Sequence, residues 1–347
     1  MLTRREMLTT ALSAGAWIVA GAPGAAIAEA PGSDTDSVVG RVIRPEAFDH
    51  VGVLFPAEAR IAPDGVVGSL RFEIAGELGP WQPLRPSAEA PDHRPVAATD
   101  LVRAPAGASG YQVDIAEGLG PIRPVAVLAG PPAAGAAPRL LPLPQSSLRA
   151  ISRAGWGADE SVRTWPATFH QVQCLTVHHS AIELEADRAA SMRAIYRFHA
   201  VDQGWGDIGY HLLIDPEGLV YEGRFSGSDG TPVFDGPPSG GLARSVLAGH
   251  VGGHNAGNIG VCLLGDFTLG EPDEPAVAAL VETLTSLCLL TGLNPTGTTH
   301  YVSPTDGASR TVPTISAHRD WSVTQCPGDA FFPQLSTIRT RVAAALG

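Results

Sequence analysis

The sequence predicts a small all-β domain followed by a larger α/β domain. Between about Val42 and Leu128, short apolar segments alternate with polar residues, are separated by Gly and Pro, and lack a helical period. Beyond a Pro/Ala-rich stretch, β-branched runs alternate with segments of helical period. The length of 347 residues also suits two domains. We therefore predict a mixed central β-sheet flanked by helices, preceded by a small all-β sandwich-like domain.

The N-terminus has the features of an export signal. Arg4 and Arg5 precede a short apolar run at Ala11–Ala20, and Ala26-Ile27-Ala28 is a small-residue cleavage site. The run is too short and too interrupted for a comfortable membrane span. Thr3–Leu8 resembles a twin-arginine signal, although adjacent arginines also occur in ordinary Sec signals. We expect a protein exported by the twin-arginine route (secreted, periplasmic or wall-associated) that is not transmembrane after cleavage.

Composition sets the remaining boundaries and excludes some partners. We predict a signal peptide at 1–28, a flexible lead-in at 29–39, an all-β accessory domain at 40–130, a Pro/Ala-rich linker at 131–147 and the α/β domain at 148–347. The formal net charge of −12 argues against nucleic acid, whose phosphates need basic patches. It also argues against electrostatic docking on anionic membranes. We expect a monomer.

Periodicity and turn signals place the elements of the α/β domain. The predicted elements are, in chain order, a strand at Val172–His178, a helix from Asp187 to Gln203, a hairpin turning at Asp215–Gly218, a strand at Asn258–Leu264, a helix from Asp273 to Gly292, a strand at Thr314–Ala317 and a helix opening at Gly328. Phe331, Leu335, Ile338 and Val342 form the buried face of the last helix. His199, on the first apolar stripe, is interpreted as a core-edge histidine.

A histidine and a cysteine near the C-terminus form a candidate metal site. Pro327 prevents a helix from running through Cys326, and in extended chain Thr324 and Cys326 project to the same side. A second source of imidazole is the pair His178-His179, which ends a β-branched run. Two imidazoles and a thiolate suit zinc, and a catalytic zinc keeps its fourth position open. By itself, a Cys-Pro-Gly turn is more often structural.

Other kinds of metal site fit the sequence less well. A blue-copper site needs a weak axial ligand, often Met, and Met1, Met7 and Met192 all lie far from Cys326 in sequence. A structural zinc would need a fourth protein ligand, and neither motif offers one nearby. The absence of an H-E-x-x-H pattern disfavours a zincin protease. The β domain holds His50 and His93 but no cysteine, so metal chemistry is predicted outside it.

Six motifs from about Ile151 to the C-terminus together resemble a known family. They are Ser152–Ala158, Thr176–Ser180, Gly204–His211, Tyr221–Arg224, Gly249-His250 with Asn255 and Ile259–Val261, and His318–Asp320 continuing to Thr324–Asp329. Their types and order resemble the peptidoglycan recognition protein and type-2 N-acetylmuramoyl-L-alanine amidase family. Any one of them could arise by chance, whereas six in order are specific.

The resemblance implies a ligand set and a catalytic pair. It implies zinc (Zn2+) at His178, His318 and Cys326, with His179 facing the other way because neighbouring strand residues alternate. Tyr210 matches the catalytic tyrosine of the family. Thr324 stands where some members carry lysine and others threonine. Either hydroxyl could donate a hydrogen bond to a developing oxyanion or orient the water.

The resemblance also implies a substrate and a function. A groove near Trp205, His250 and Asn255 would bind the muramyl-peptide stem of peptidoglycan or its muropeptides. The expected function is that of a secreted zinc-dependent amidase, which hydrolyses the bond between N-acetylmuramic acid and L-alanine. The alternative is a non-catalytic peptidoglycan-binding receptor on the same fold. Such receptors commonly lack the zinc thiolate, whereas Cys326 is present here.

Several features depart from that family's pattern. No Cys pair follows the first ligand strand, and Cys174, Cys262 and Cys288 are interpreted as small buried thiols without an essential disulfide. A Gly/Pro-rich insertion at 225–247 is expected at the rim of the groove, and a second lies at 296–311. For the β domain we consider two roles, a spacer that stabilises the chain or a module that binds carbohydrate or cell wall.

Overall fold

A computed structural model describes residues 40–59, 65–92, 96–133, 139–228, 230–238 and 242–347. These residues belong to one compact unit. The predicted signal peptide at 1–28 and the lead-in at 29–39 lie outside the described residues, so both stay predictions.

The N-terminal region is a β-sandwich, as the sequence predicts. Its strands are β1 (Val42–Ile43), β2 (His50–Pro56), β3 (Gly68–Ile74), β4 (Glu77–Leu78), β5 (Gln82–Leu84), β6 (Pro86–Ser87), β7 (Val96–Thr99), β8 (Val102–Arg103), β9 (Ala108–Ile115) and β10 (Arg123–Val127). One antiparallel sheet has the order β1-β9-β3-β4, with β5 also on β3, and the other has the order β10-β2-β7-β6, with β8 also on β2. Side chains from both sheets, such as Val53 and Val113, share one core.

The C-terminal region is built on a mixed sheet. Its strands are β11 (Leu140–Pro142), β12 (Arg149–Ile151), β13 (Phe169–Gln171), β14 (Cys174–His179), β15 (Leu212–Ile214), β16 (Val220–Glu222), β17 (Arg244–Val246), β18 (Asn258–Leu263), β19 (Thr298–Val302), β20 (Ser309–Pro313) and β21 (Ile315–Ala317). Its helices are α1 (Arg153–Trp156), α2 (Arg188–Arg197), α3 (Glu274–Thr291) and α4 (Leu335–Leu346). The main sheet has the order β11-β12-β16-β15-β18-β14-β21, and β14 lies parallel to both neighbours.

Helices cover both faces of this sheet, which confirms the predicted α/β class. Leu175 and Val177 of β14 pack with the apolar residues of α3 and α4 on one face. Because side chains alternate along a strand, Thr176 and His178 lie on the opposite face, which α2 covers. The parallel strands β14 and β21 end at the same edge, and functional sites of open α/β sheets form at such carboxyl edges.

The two regions share an apolar interface. Leu54, Leu101 and Val127 of the sandwich belong to one buried cluster with Met192 of α2 and with Phe198. This cluster is a continuous core across the two regions, so the sandwich is docked on the α/β region over an apolar surface.

Polar contacts and a glycine complete the interface. The Arg103 guanidinium donates to both carboxylate oxygens of Glu185, at 2.8 and 2.7 Å. Gly52 of β2 lies so close to Phe198 that a Cβ atom there would be 2.8 Å from the ring. A side chain at position 52 would therefore hold the two regions apart.

Two boundaries differ from the sequence predictions, and one helix changes its type along its length. The predicted linker at 131–147 contains strand β11, whose Leu141 joins the core of the α/β region, so the linker ends earlier. The last helix does not open at Gly328; a 3-10 turn at Phe332–Gln334 precedes α4, and the predicted apolar face is nevertheless buried. The first helix keeps its predicted limits, with Asp187 as N-cap and Gln203 as C-cap, but its α-helical part ends at Arg197 and Phe198–Asp202 is a π-helix.

Part of the insertion at 225–247 lies behind the sheet, whereas the sequence analysis expected the insertion at the rim of the groove. Val233 and Phe234 are buried in the core on the α3 face, behind the sheet.

Within the described part of the chain, helix α3 is long and apolar enough to cross a membrane, with a mean hydropathy of 1.3 over 18 residues. Leu280, Leu284 and Leu287 of this helix are buried in the same core, which identifies it as a core helix.

We expect Gly52→Ala to destabilise the protein by about 1–3 kcal/mol, because the added methyl group must displace the buried Phe198 ring. Urea unfolding measures this change. Gly79→Ala is the matched control, since its nearest neighbour would be 3.6 Å from the new Cβ. Equal unfolding free energies for the two variants would contradict the close approach of the sandwich to Phe198.

Candidate metal centre

Four buried side chains converge at the carboxyl edge of the sheet. Nitrogen atoms of His178 and His318, the sulfur of Cys326 and a carboxylate oxygen of Glu89 all lie within 4.8 Å of one another. His178 Nδ1 lies 3.6 Å from Cys326 Sγ, and His318 Nδ1 lies 3.6 Å from Glu89 Oε1. The structure therefore brings together the three ligands predicted from the sequence.

Glu89 is a member that the sequence analysis missed. It lies in the β-sandwich, between β6 and β7, where no metal chemistry was predicted, and it supplies the fourth donor that neither motif offers nearby. Its position brings a side chain of the β-sandwich to the candidate ligands, which the sequence analysis did not anticipate. Its flanking residues Ala88 and Ala90 carry no ligand pattern, so only the fold reveals it.

A chain of hydrogen bonds fixes the tautomer of His178. His250 Nε2 lies 2.9 Å from the carbonyl of Asn258 and must donate to it, because a carbonyl only accepts. His250 Nδ1 is then the acceptor for His178 Nε2–H at 3.0 Å. The lone pair of His178 Nδ1 is left facing Cys326 and Glu89, which is how a metal-binding histidine is oriented by its neighbours.

Among the four side chains, His318 gives the strongest indication of a metal ligand. Its ring is fully buried, and neither ring nitrogen has a hydrogen bond within the described part of the chain. Buried polar atoms without a hydrogen bond are rare and call for an explanation such as an ion. The turn that carries His318 is held by the Asp320 carboxylate, which accepts from the Ala317 amide at 2.7 Å.

Backbone contacts hold the Cys326 loop against the sheet. The His179 amide donates to Cys326 Sγ at 3.4 Å, and the Cys326 amide donates to Thr324 Oγ1 at 3.1 Å. Arg319 binds the Cys326 carbonyl at 3.3 Å and the Asp329 carboxylate at 2.9 Å. Burial, and secondarily the charge of Glu89, raises the pKa of the Cys326 thiol, so a bound cation must displace its proton.

Gly328 and His179 complete the support of this loop. A Cβ on Gly328 would lie 2.2 Å from the carbonyl oxygen of Phe267, so a larger residue would push the loop away. His179 lies on the opposite side of the strand from His178, as predicted, and its Nδ1 accepts from the Phe267 amide at 3.1 Å.

Tyr210 lies beside the cluster with its phenol protonated. Its ring centroid is 5.4 Å from that of His178. Burial, reinforced by the charge of Glu89, raises the pKa of Tyr210 well above its ordinary value, so the hydroxyl remains a hydrogen-bond donor at neutral pH. Thr324 is partly exposed, and its hydroxyl accepts from Cys326, which leaves its own hydrogen available. The catalytic roles of both stay predictions.

A buried ion-pair network positions the Tyr210 segment. Asp207 accepts from the Arg153 guanidinium at 2.9 Å and from the Arg224 guanidinium at 2.6 Å. All three side chains are buried, and both acceptor oxygens of Asp207 are used. The sequence analysis quoted these residues within motifs but assigned them no role; a buried Asp between two arginines is recognisable only once the fold joins them.

The predicted substrate-binding residues occupy different environments. Trp205 is half-buried and stacks on His199 at 4.4 Å. His250 uses both ring nitrogens inside the protein, which gives it a positioning role. Asn255 is buried; its Oδ1 accepts from the His250 and Val251 amides at 2.8 Å each. Substrate contact by these three residues stays a prediction.

The donor set suits a zinc ion. Zinc binds thiolate, imidazole and carboxylate in tetrahedral sites, whose neighbouring ligand atoms lie about 3.3–3.8 Å apart given bond lengths of about 2.0–2.3 Å. The closest contacts in the cluster, 3.6 Å each, fall in that range. Burial opposes ionisation of Glu89, but the His318 ring and the Ser87 hydroxyl favour it, and its pKa lies below the ordinary value. His318 Nδ1, which lies 3.6 Å from Glu89 Oε1 and has no hydrogen bond within the described residues, also fits a cation at the centre of the cluster.

Comparisons with a family profile and with known proteins indicate the same family. The family profile of N-acetylmuramoyl-L-alanine amidase matches residues 168–329. A human N-acetylmuramoyl-L-alanine amidase is 32% identical over 149 residues, which are 43% of this chain and 20% of the human protein. An endolysin of Klebsiella phage KP32 is 30% identical over 146 residues, which are 42% of this chain and 82% of the endolysin.

The similarity covers these relatives unequally. The chain spans about a fifth of the length of the mammalian relatives that it matches and most of the phage endolysin. The solved structure of Drosophila PGRP-LB is 25% identical in sequence to this chain. The match covers 55% of this chain and 94% of PGRP-LB, with a TM-score of 0.39.

We expect His250→Phe to weaken zinc binding by about 10–100-fold. Phenylalanine also has a flat ring, but it lacks the Nδ1 atom that accepts the hydrogen bond from His178 and so orients His178. Competition with a chromophoric chelator measures the dissociation constant. The control is His300→Phe, on the exposed β19–β20 hairpin. Zinc affinity equal to that of the control would contradict the positioning role of His250.

We expect the metal-free protein to lose stability as the pH falls from about 6.5 towards about 4. Burial lowers the pKa of His199 and of His211 to about 4, whereas an unfolded histidine has a pKa of about 6.5. In this window the unfolded chain takes up more protons, so stability present above pH 6.5 declines as the pH falls. Urea unfolding in chelator across the window measures the slope.

His199→Gln should reduce this slope, because glutamine takes up no proton. The exposed His300→Gln should keep the slope of the parent protein. An unfolding free energy that stays constant or rises on acidification would contradict burial of the neutral rings.

Proposed function

Because the chain belongs to the N-acetylmuramoyl-L-alanine amidase family, we propose that it is an exported zinc-dependent amidase acting on peptidoglycan. The bond cleaved is the amide between N-acetylmuramic acid and L-alanine, and the enzyme works as a monomer. The observation that carries this proposal is the set of His178, His318 and Cys326 at one edge of the sheet, with the buried Tyr210 beside it.

The residues present suit amide hydrolysis. An amide resists water because its carbonyl carbon is weakly electrophilic and its nitrogen leaves poorly. When held by His178, His318 and Cys326, zinc would supply a Lewis acid, which would polarise the carbonyl and make the attacking water more acidic. Water adds to the carbonyl carbon, the C–N bond breaks, and the nitrogen leaves as an amine after gaining a proton. The products are a carboxylate and an amine.

Tyr210 and Thr324 supply hydrogen bonds for this reaction. The protonated Tyr210 hydroxyl can donate to the oxygen that becomes negative as water adds, and one such donor typically contributes about 2.7–4 kcal/mol to the transition state. The Thr324 hydroxyl, held by the Cys326 amide, lies at the more exposed side and can orient the attacking water or the substrate. His250 keeps the His178 lone pair directed at the centre.

One observation favours the alternative of a non-catalytic peptidoglycan-binding protein. Glu89 completes a set of four protein donors, and closed sets of four are typical of structural zinc. The two functions differ in a direct assay. Release of stem peptide from purified muropeptides, lost on chelation and restored by zinc, supports the amidase, and binding without release supports the receptor.

We expect Cys326→Ser to abolish both zinc content and muropeptide turnover while leaving the fold intact, since the core does not depend on this thiol. Metal analysis, stem-peptide release and far-UV circular dichroism measure the three quantities. Cys288→Ala is the control, because Cys288 is buried in α3, away from the cluster. Unchanged turnover in Cys326→Ser would rule out the thiolate as a metal ligand.

A further inference from the structure

The segment Ser87–Asp92 of the β-sandwich lies over the metal centre. It begins at the last residue of β6, and its Glu89 side chain enters the cluster of His178, His318 and Cys326. The Glu89 carboxylate also accepts from the Ser87 hydroxyl and is hydrogen-bonded to Tyr210. One carboxylate therefore contacts the candidate ligands and the candidate catalytic donor at the same time.

The next residues of the segment are bound to the loop that follows β17. The Asn255 side chain donates to the Ala90 carbonyl at 2.9 Å. The Asp92 carboxylate accepts from the amides of Gly253 and Asn255, at 3.1 and 3.2 Å. These bonds hold the segment against residues 249–255, which include His250 and Asn255, two residues that the sequence analysis placed near the substrate groove.

Two glycines of that loop allow the close fit. A Cβ on Gly249 would lie 3.0 Å from the Pro91 nitrogen, and one on Gly252 would lie 3.2 Å from the Ala90 Cβ. Because both distances are shorter than ordinary carbon contacts, the segment fills the space above the loop at van der Waals distance.

The segment closes the centre to any large ligand. His178 and His318 are fully buried, Cys326 is 3% exposed, and Glu89 itself is 7% exposed. An amide flanked by a sugar and a peptide cannot reach these atoms while the segment is in place. Hydrolysis of an amide produces a carboxylate, so Glu89 presents to Tyr210 and the metal ligands the same group that the product would present.

We propose that Glu89 is the fourth protein ligand of the resting metal centre and that segment 87–92 occupies the place of the substrate, so that the enzyme is latent until this segment withdraws. The regulatory part of this inference rests on the proposed function, whereas the ligand part does not. The apolar cluster that contains Leu54, Leu101 and Phe198 includes no residue of the segment, so we expect this cluster to persist when the segment withdraws.

The first experiment tests ligation without relying on activity. In the cobalt-substituted full-length protein, azide is the probe, because it changes the visible spectrum only if it gains a coordination position. We expect Glu89→Ala and Glu89→Gln to bind azide at least about ten-fold more tightly than the parent protein, since the parent is open only a small fraction of the time. Glu77→Ala, on the exposed strand β4, should behave as the parent.

The second experiment locks the segment with a disulfide. Disulfides join Cβ atoms about 3.5–4.5 Å apart, a few tenths of an ångström beyond the 3.2 Å between Ala90 and a Cβ on Gly252. The Ala90→Cys/Gly252→Cys protein should release stem peptide from muropeptides at least about ten-fold more slowly when oxidised than when reduced with a phosphine. Ala90→Cys alone should not respond to oxidation, and Glu89→Ala should release stem peptide faster than the parent.

The outcomes separate the two proposals. Equal azide affinity in the parent and both Glu89 variants, or equal turnover of the oxidised and reduced double-cysteine protein, would overturn the latency inference while leaving the amidase in place. If azide binds more tightly to the Glu89 variants but none of them releases stem peptide, Glu89 is confirmed as a ligand and the amidase proposal fails instead.

Discussion

Two imidazoles, a thiol and a carboxylate lie buried within 4.8 Å of one another. Removing such groups from water is costly unless hydrogen bonds or an ion compensate, and the His318 nitrogens have no hydrogen bond within the described residues. A cation bound at the centre would provide that compensation. The contacts around the site follow from this constraint, because they hold the four groups at this distance.

The supporting contacts act on orientation more than on proximity. His250 and the Asn258 carbonyl direct the lone pair of His178, and Arg319 binds the loop that carries Cys326. Neither His250 nor Arg319 is in the four-member cluster, yet each determines where a donor atom points. This division between ligands and the residues that orient them is general in metal sites, and the orienting residues affect metal affinity strongly.

The β-sandwich is part of the centre in this structure. From the sequence, the all-β region before the Pro/Ala-rich stretch is predicted to be a separate domain that serves as a spacer or a binding module. The structure instead joins the two regions through a continuous apolar core that includes Leu101 and Phe198, and through Glu89, which reaches the metal cluster. An amidase domain on its own would have one donor fewer and an open edge.

The sequence by itself determined the elements whose signal is local. Strand β14, the hairpin of β15 and β16, and helix α3 follow from period-two alternation, turn residues and period 3.6, and motif order identified His178, His318 and Cys326. Tertiary structure alone decided that Leu140–Pro142 is a strand, that Val233 and Phe234 lie behind the sheet, and that Glu89 reaches the metal centre. Each of these three features depends on contacts between residues that are distant in the chain. The sequence around each of them shows neither a periodic pattern nor the spacing of a metal-binding motif. Local patterns report the backbone's preference, and only packing reports which distant side chains meet.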